Sequence, residues 1–365
     1  MYIKYLHLIN FRNYEELNIE LYKGINIFIG DNAQGKTNIL ESIYYGSLGK
    51  SHRASKDKDL VNWNKREAYV QLYVSKNRLD KKIEIKVFRE GKKGINVNSI
   101  KLKKISELFG VLNVVMFSPE DLKIVKESPG HRRRFLDIEL CKLNTNYYYN
   151  LVQYNKVLEQ RNTVLRNCRS NDLGMIDIYD VQLSKFGGTV IDYRIDYINK
   201  LKEKSQVIHG DITSNKEKID FKYITDVKEG SSTKDELYRL LELNRKKDME
   251  KRITSIGPHR DDFSISINGI DTRSFGSQGQ QRTAILTIKF ASLHILKEQT
   301  GEFPVLLLDD VLSELDLNRQ KYIMNSISEV QTVITCTGIS DIKSYLNTDI
   351  KVFNVKDGNV IEMNS

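Results

Sequence analysis

A chain of 365 residues, 40% apolar and 29% charged, is long enough for two domains and too apolar for a disordered polymer. Its three cysteines (Cys141, Cys168, Cys336) stand apart with no C-x-x-C pair, which argues against zinc sites and disulfides and fits a reducing compartment. No apolar run reaches signal or membrane-spanning length, so the reading is a cytoplasmic protein with no membrane partner. The formal charge of +9 is uneven: about +8 over residues 1–130, about +3 over 131–250 and about −2 over 251–365. Basic clusters such as "GKSHRASKDKDL" and "LDKKIEIKVFREGKKG" can be solvated surface, but their concentration in one region points to a polyanion partner.

The first 128 residues read as strands. "MYIKYLHLINF" and "NIEL" are short strand candidates, and "GINIFIG" is a β-branched run that ends at a glycine. "GDNAQGKTNIL" follows, matching G-x-x-x-x-G-K-[ST]. Gly30 and Gly35 let the backbone of Asp31, Asn32, Ala33 and Gln34 turn its N–H groups inward around phosphate oxygens. Lys36 supplies a cation for the β- and γ-phosphates, Thr37 a hydroxyl for Mg²⁺, and the helix that starts there adds its positive end. Lys50, Arg53 and Lys56 follow as candidate DNA contacts. "EAYVQLYV" and "KKIEIKVF" alternate at period two, as half-exposed antiparallel strands do. "VLNVVMF" is continuous and apolar and reads as a buried central strand, ending in the helix start "SPEDL".

From 129 to 252 apolar residues recur at three-and-four spacing, predicting an inserted, mainly helical lobe. "TKDELYRLLELNRKKDMEKRI" reads as one helix opened by a capping box of Thr233 and Glu236. Residues 253–365 return to strands. "DFSISINGIDTRSF" is a hairpin turning at Asn268-Gly269. "PVLLLDD" is an apolar strand tipped by two acids, costly to bury without a cation. Asp309 suits Mg²⁺, and Asp310 suits an attacking water, as a catalytic residue. Phosphate loop and acid tip stand at opposite ends of the chain yet belong in one sheet, so the helical lobe is an insertion.

The stretch "SQGQQRTAIL" resembles the signature motif of ATP-binding-cassette ATPases, with Ser277 and Gly279 in the cradle and Gln280 a second catalytic candidate. "SELD" looks like their D-loop, with Asp316 its acid. This sequence departs from the transporter form: Gln278 replaces a Gly, Asp310 a Glu, and Thr335–Cys336 stand where a His is usual. "FRNY", "GDNAQGKTNILE", "FSPEDLKIVKESPGHRRRFLD", "IGPHRDDF", "SQGQQRTA" and "LLLDDVLSELD" together resemble the RecF family of bacterial recombinational-repair proteins, in order and over nearly the whole chain. The resemblance implies an ABC-ATPase-like α/β head, with a mixed sheet, an antiparallel β-subdomain and an inserted helical lobe. It implies ATP and Mg²⁺ as cofactors, with Arg12 and Asn13 near the nucleotide. It further implies a weak, DNA-stimulated ATPase that binds double-stranded DNA and gap junctions as an ATP-dependent homodimer. Its partners would be RecR, with RecO and RecA downstream, and its setting DNA replication, repair and the SOS response to DNA damage.

Two other readings follow from the same motifs. A transporter ATPase subunit would carry the Glu, the His and an intact signature, none of which stands here. The other is a DNA-binding module that uses ATP only as a ligand; the Asp310 carboxylate argues against a full loss of hydrolysis, and a single-turnover ATP assay with DNA present discriminates the two.

Overall fold

The computed structural model describes residues 1–77, 79–167, 173–228, 232–312, 315–338 and 349–363. The chain divides into two compact units, residues 1–121 with 289–365, and residues 122–288.

The first unit opens with β1 (Tyr2–Phe11), β2 (Tyr14–Glu20) and β3 (Ile25–Ile29), then α1 (Lys36–Leu48). Next come β4 (Glu67–Ser75), β5 (Lys81–Phe88), β6 (Gly94–Val97), β7 (Ile100–Lys101) and β8 (Val114–Phe117). An antiparallel sheet runs β2–β1–β4–β5–β6–β7. In β4 and β5 every second residue is buried, as the period-two pattern predicts.

The other sheet of this unit holds β3, which runs into the glycine loop, and the acid-tipped strand. Its remaining strands come from the far end of the chain: β12 (Val305–Asp309), β13 (Thr332–Cys336), β14 (Ile350–Lys356) and β15 (Asn359–Met363). The order is β15–β14–β3–β13–β12–β8, parallel from β14 to β8. Ile27 pairs with Ile334, and Ile334 with Leu308. The carboxyl ends of β3 and β12 therefore lie two strand spacings apart, about 10 Å, at one end of the sheet. Strand β8 is fully buried yet forms the sheet's edge, not its centre. A continuous apolar run reports burial of both faces and says nothing of rank within the sheet.

The second unit is mainly helical: α2 (Leu122–Lys126), α3 (Pro129–Leu143), α4 (Thr145–Asn167) and α5 (Leu173–Thr213). Strand β9 (Ile219–Ile224), α6 (Thr233–Leu243) and α7 (Arg245–Lys251) follow, then β10 (Asp262–Ile267), β11 (Ile270–Asp271), α8 (Thr272–Phe275) and the start of α9 (Gln278–Thr300), whose residues from Lys289 on are counted with the first unit. Strand β9 pairs along its whole length with β10, so segments on both sides of residue 252 share one sheet. The hairpin and the signature stretch accordingly fall in this unit. The β10–β11 turn has positive φ at both Asn268 and Gly269, as a type I′ turn requires. Helix α6 is capped by Ser232, one residue before the expected Thr233, and the pattern breaks at Asn244 into a second helix. Tyr154, Val157, Leu183, Ile191, Leu237 and Leu241 form the core between α4, α5 and α6. A Cβ at Gly187 would meet Leu237 and Tyr154 at 2.8 and 2.9 Å, so a larger residue there would have to displace both side chains.

Candidate nucleotide site

The loop from Gly30 to Gly35 joins β3 to α1, and its backbone explains its residues. Gly30, Ala33 and Gly35 have φ of 154, 66 and 112°. A Cβ on Gly30 would lie 2.2 Å from the Val355 carbonyl, and one on Gly35 would lie 2.5 Å from the Asn13 side chain. The two glycines are therefore demanded by conformation and by space. Lys36 is only 7% exposed, and its Nζ donates to the carbonyls of Gly30 and Asp31 at 2.6 and 2.7 Å. The ammonium is thus held by the loop's own carbonyls.

The loop is clasped from outside. Asn13 donates to the Gln34 carbonyl at 3.1 Å and accepts from Asn38 at 2.8 Å. Tyr14 donates its hydroxyl to the Gly35 carbonyl, and Gln34 accepts the Asp357 N–H at 2.6 Å. Arg12, with φ of 55°, is not directed at the loop. Its guanidinium makes a bidentate pair with Glu41 at 2.8 Å through both Nε and Nη2. Glu41 is wholly buried on α1 and also accepts from the Ser51 hydroxyl. Burial pushes its carboxyl upward, but Arg12 and Ser51 outweigh it and hold it below the usual carboxylate range. Ser51 Oγ accepts the N–H groups of Arg53 and Ala54, so this network shapes the basic loop after α1. Arg53 donates to Asn38 at 3.3 Å and reaches Glu41 at 4.0 Å, whereas Lys50 and Lys56 are exposed.

The acid tip meets the loop directly. Thr37 donates its hydroxyl to Asp309 Oδ1 at 2.9 Å, across 272 residues of chain. Asp309 is 7% exposed and accepts a second hydroxyl, that of Thr335, at 2.9 Å. Thr335 Oγ1 in turn accepts the Asp310 N–H at 3.0 Å. The β13 strand lying between β3 and β12 thus supplies the residue that orients both acids. Asp310 has a left-handed backbone, φ 54°, a conformation Asp tolerates better than most residues. Burial pushes the neighbouring Cys336 thiol up to about 11, against the opposing pull of Lys36. Thr37 and Asp309 together offer the hard oxygen donors that Mg²⁺ prefers.

Ser277, Gly279 and Gln280 lie in the second unit at the start of α9. Ser277 and Gln280 form a reciprocal cap, Ser277 N–H to Gln280 Oε1 at 3.0 Å and Gln280 N–H to Ser277 Oγ at 3.2 Å. Asp316 caps α10 (Leu317–Ser326), accepting from the N–H groups of Asn318 and Arg319. Ser313 and Glu314 of the D-loop stretch lie outside the described residues.

Residues 2–360 match the model of the RecF/RecN/SMC N-terminal domain. The curated protein "DNA replication and repair protein RecF" of Clostridium novyi is 66% identical over 99% of both chains. Its counterpart in Clostridium acetobutylicum is 64% identical over 99% of this chain and 100% of its own. The chain belongs to the RecF family. The solved structure of the recombination mediator protein RecF-ATPrS in the RecFOR pathway superposes with a TM-score of 0.91 at 39% identity, covering 100% of this chain and 98% of that one. The Smc head domain of Pyrococcus furiosus, at 16% identity and a TM-score of 0.58, shares the fold, covering 99% of this chain and 96% of that one. The fold is thus that of an ABC-ATPase-like head, as the sequence motifs imply.

Several basic and aromatic residues of the second unit serve its own packing. In "HRRRF", Arg132 is buried in a bidentate pair with Asp262 and Arg133 donates to the Asp261 carbonyl; Arg134 is exposed. His259 bonds the Tyr154 hydroxyl at 2.6 Å, and burial lowers it to about 4. Tyr147 is buried and bonded to Asp137. Trp63 is 89% exposed.

Proposed function

We propose that this protein is an ATP-dependent DNA-binding protein of recombinational repair and replication restart. The observation that carries the reading is the Thr37–Asp309 hydrogen bond, which closes the two halves of a phosphate and cation site. In this reading, Gly30 to Lys36 hold the triphosphate of ATP. Thr37 and Asp309 hold Mg²⁺, which when bound neutralises charge on the β- and γ-phosphate oxygens. Asp310 orients and deprotonates the attacking water. Asn13 fixes the loop, and Arg12 does so through Glu41. Ser277 and Gly279 of one copy complete the site of another, so that ATP joins two heads and slow hydrolysis releases them. The joined heads grip double-stranded DNA at gaps and single-strand junctions, in the cytoplasm, and with RecR and RecO assist the loading of RecA. The names of the relatives support the repair setting. Among the described residues no helix is long and apolar enough to cross a membrane, and the departures of Gln278 and Asp310 from the transporter form weigh the same way.

The direct test is Lys36→Met. The side chain keeps its length and loses its charge, so the fold is retained. Losing a charge-assisted partner costs on the order of 1.5–3 kcal/mol, a tenfold or greater drop in ATP affinity. Titration calorimetry showing unchanged affinity in the folded variant would refute the phosphate-site assignment.

DNA binding is tested by salt. Each phosphate contact contributes about 0.9 to the slope of log affinity against log salt. Lys50 and Lys56 are exposed, whereas Arg53 is tied to Asn38 and Glu41, so it is tested separately. Replacing Lys50 and Lys56 with Gln should shallow the slope by roughly 1.8, for every DNA sequence alike. A slope that does not move places the DNA surface elsewhere, with exposed Arg134 the next residue to test.

A further inference from the structure

The signature stretch is braced by a residue far from it in sequence. Gln280 spends its side-chain oxygen on the Ser277 N–H, and its Nε2 donates to Glu217 Oε1 at 2.9 Å. Glu217 lies in the turn between α5 and β9. Its other carboxylate oxygen is 3.4 Å from Nε2 of buried His209 on α5. His209 Nδ1 lies 3.0 Å from the Thr287 hydroxyl. Thr287 is on α9, seven residues beyond Gln280, and so on the same face two turns along. The first turns of α9 are therefore held at two points by one chain of contacts, α9 to the turn, the turn to α5, and α5 back to α9.

We propose that Glu217 is a positioning residue for the signature stretch. A glutamine amide at the start of a helix can choose among several rotamers. The bond to Glu217 selects the one whose oxygen faces the Ser277 N–H, and this fixes Ser277 with its hydroxyl at the mouth of the helix. Glu217 acts only through Gln280. The role rests on the reading that Ser277 completes a partner's ATP site.

The experiment compares Glu217→Ala, Glu217→Gln, Gln280→Ala and the double Ala variant. Amide exchange on the nucleotide-free protein reads the brace itself. Peptides covering residues 276–282 should exchange about three- to tenfold faster in Glu217→Ala, the effect of one lost hydrogen bond. Glu217→Gln retains an oxygen acceptor for Nε2 and should exchange like the wild type. In ATP turnover, Glu217→Ala should lower kcat by a similar factor, with the monomer's ATP affinity unchanged. The double variant should be no worse than Gln280→Ala, because the two residues work in series. Unaltered exchange in Glu217→Ala, failed rescue by Gln, or effects that multiply in the double variant would each overturn the proposal. Wild-type protein that neither dimerises on ATP nor hydrolyses it would instead overturn the functional reading, while the exchange data still decide the brace.

Discussion

Ser277→Arg should bind ATP as the wild type does and fail to dimerise on it. Ser277 is exposed at the start of α9 in the second unit, while the phosphate loop and Asp309 belong to the first. An arginine there has solvent to occupy in the free chain. The local cost is the lost cap, about 1 kcal/mol, plus a cation placed at the positive end of a helix, about 0.3–1 kcal/mol. Neither term unfolds a domain of ordinary stability. In a closed pair of the kind proposed, the same guanidinium would fill the space assigned to Ser277 and a partner's γ-phosphate. Light scattering with and without ATP should therefore show a dimer for the wild type and a monomer for the variant, with hydrolysis falling alongside. A mixture of Ser277→Arg and Lys36→Met chains can form one composite site that has both wild-type residues. Partial activity in that mixture, absent from either variant alone, is the mark of a shared interface. A Ser277→Arg protein that dimerises on ATP like the wild type sinks the two-headed reading.

What the sequence disclosed about this site was whatever sits within a few residues. The glycine loop is legible because its glycines, lysine and threonine stand at fixed spacing on one turn of backbone, and the strand and helix expected to flank it are there. "PVLLLDD" is legible because a buried strand rarely ends in two acids without a reason. That the two meet in one sheet followed from their chemistry alone. The long-range partners were not legible. Nothing local to Thr335 says that its hydroxyl bonds one acid's side chain and the next acid's backbone; that depends on β13 lying between β3 and β12. Arg12 was placed near the nucleotide by resemblance, yet its guanidinium is committed to Glu41, a residue that reads in sequence as one more helix surface acid. Its complete burial is the sign of its role, and burial of a charge on a helix is decided by what packs over it. Glu217 sits in the lysine-rich run "SNKEKID", where a solvated surface is the natural expectation, and only the fold brings it to Gln280. The unit division shows the same limit, since strand pairing between residues 219–224 and 262–267 overrides the change in sequence texture near 252.

Asp310→Asn should separate binding from hydrolysis. Asp310 stands one residue past the end of β12 with φ 54°, a region where Asn is as well tolerated as Asp and most other residues are strained. The substitution keeps side-chain shape and leaves the backbone N–H that donates to Thr335. The Thr37–Asp309 bond is untouched, so the phosphate and cation site stays assembled. ATP affinity should thus match the wild type within about twofold, a difference of roughly 0.4 kcal/mol. What disappears is the carboxylate that, on the proposed function, accepts a proton from the attacking water. A positioned general base contributes about 10²- to 10⁴-fold, so single-turnover hydrolysis should slow by at least about 100-fold. If hydrolysis releases a dimer, as proposed, the variant should then accumulate as an ATP-bound pair and hold DNA longer than the wild type. Asp310→Ala is the control for conformation: it also removes the carboxylate but strains the positive φ by about 1–2 kcal/mol, so it should lose thermal stability where Asn does not. Turnover by Asp310→Asn at the wild-type rate would move the water-activating role to another residue. Gln280, whose side chain is already held between Ser277 and Glu217, would then have to leave that brace to act, and the double variant of Asp310→Asn with Gln280→Ala would decide it.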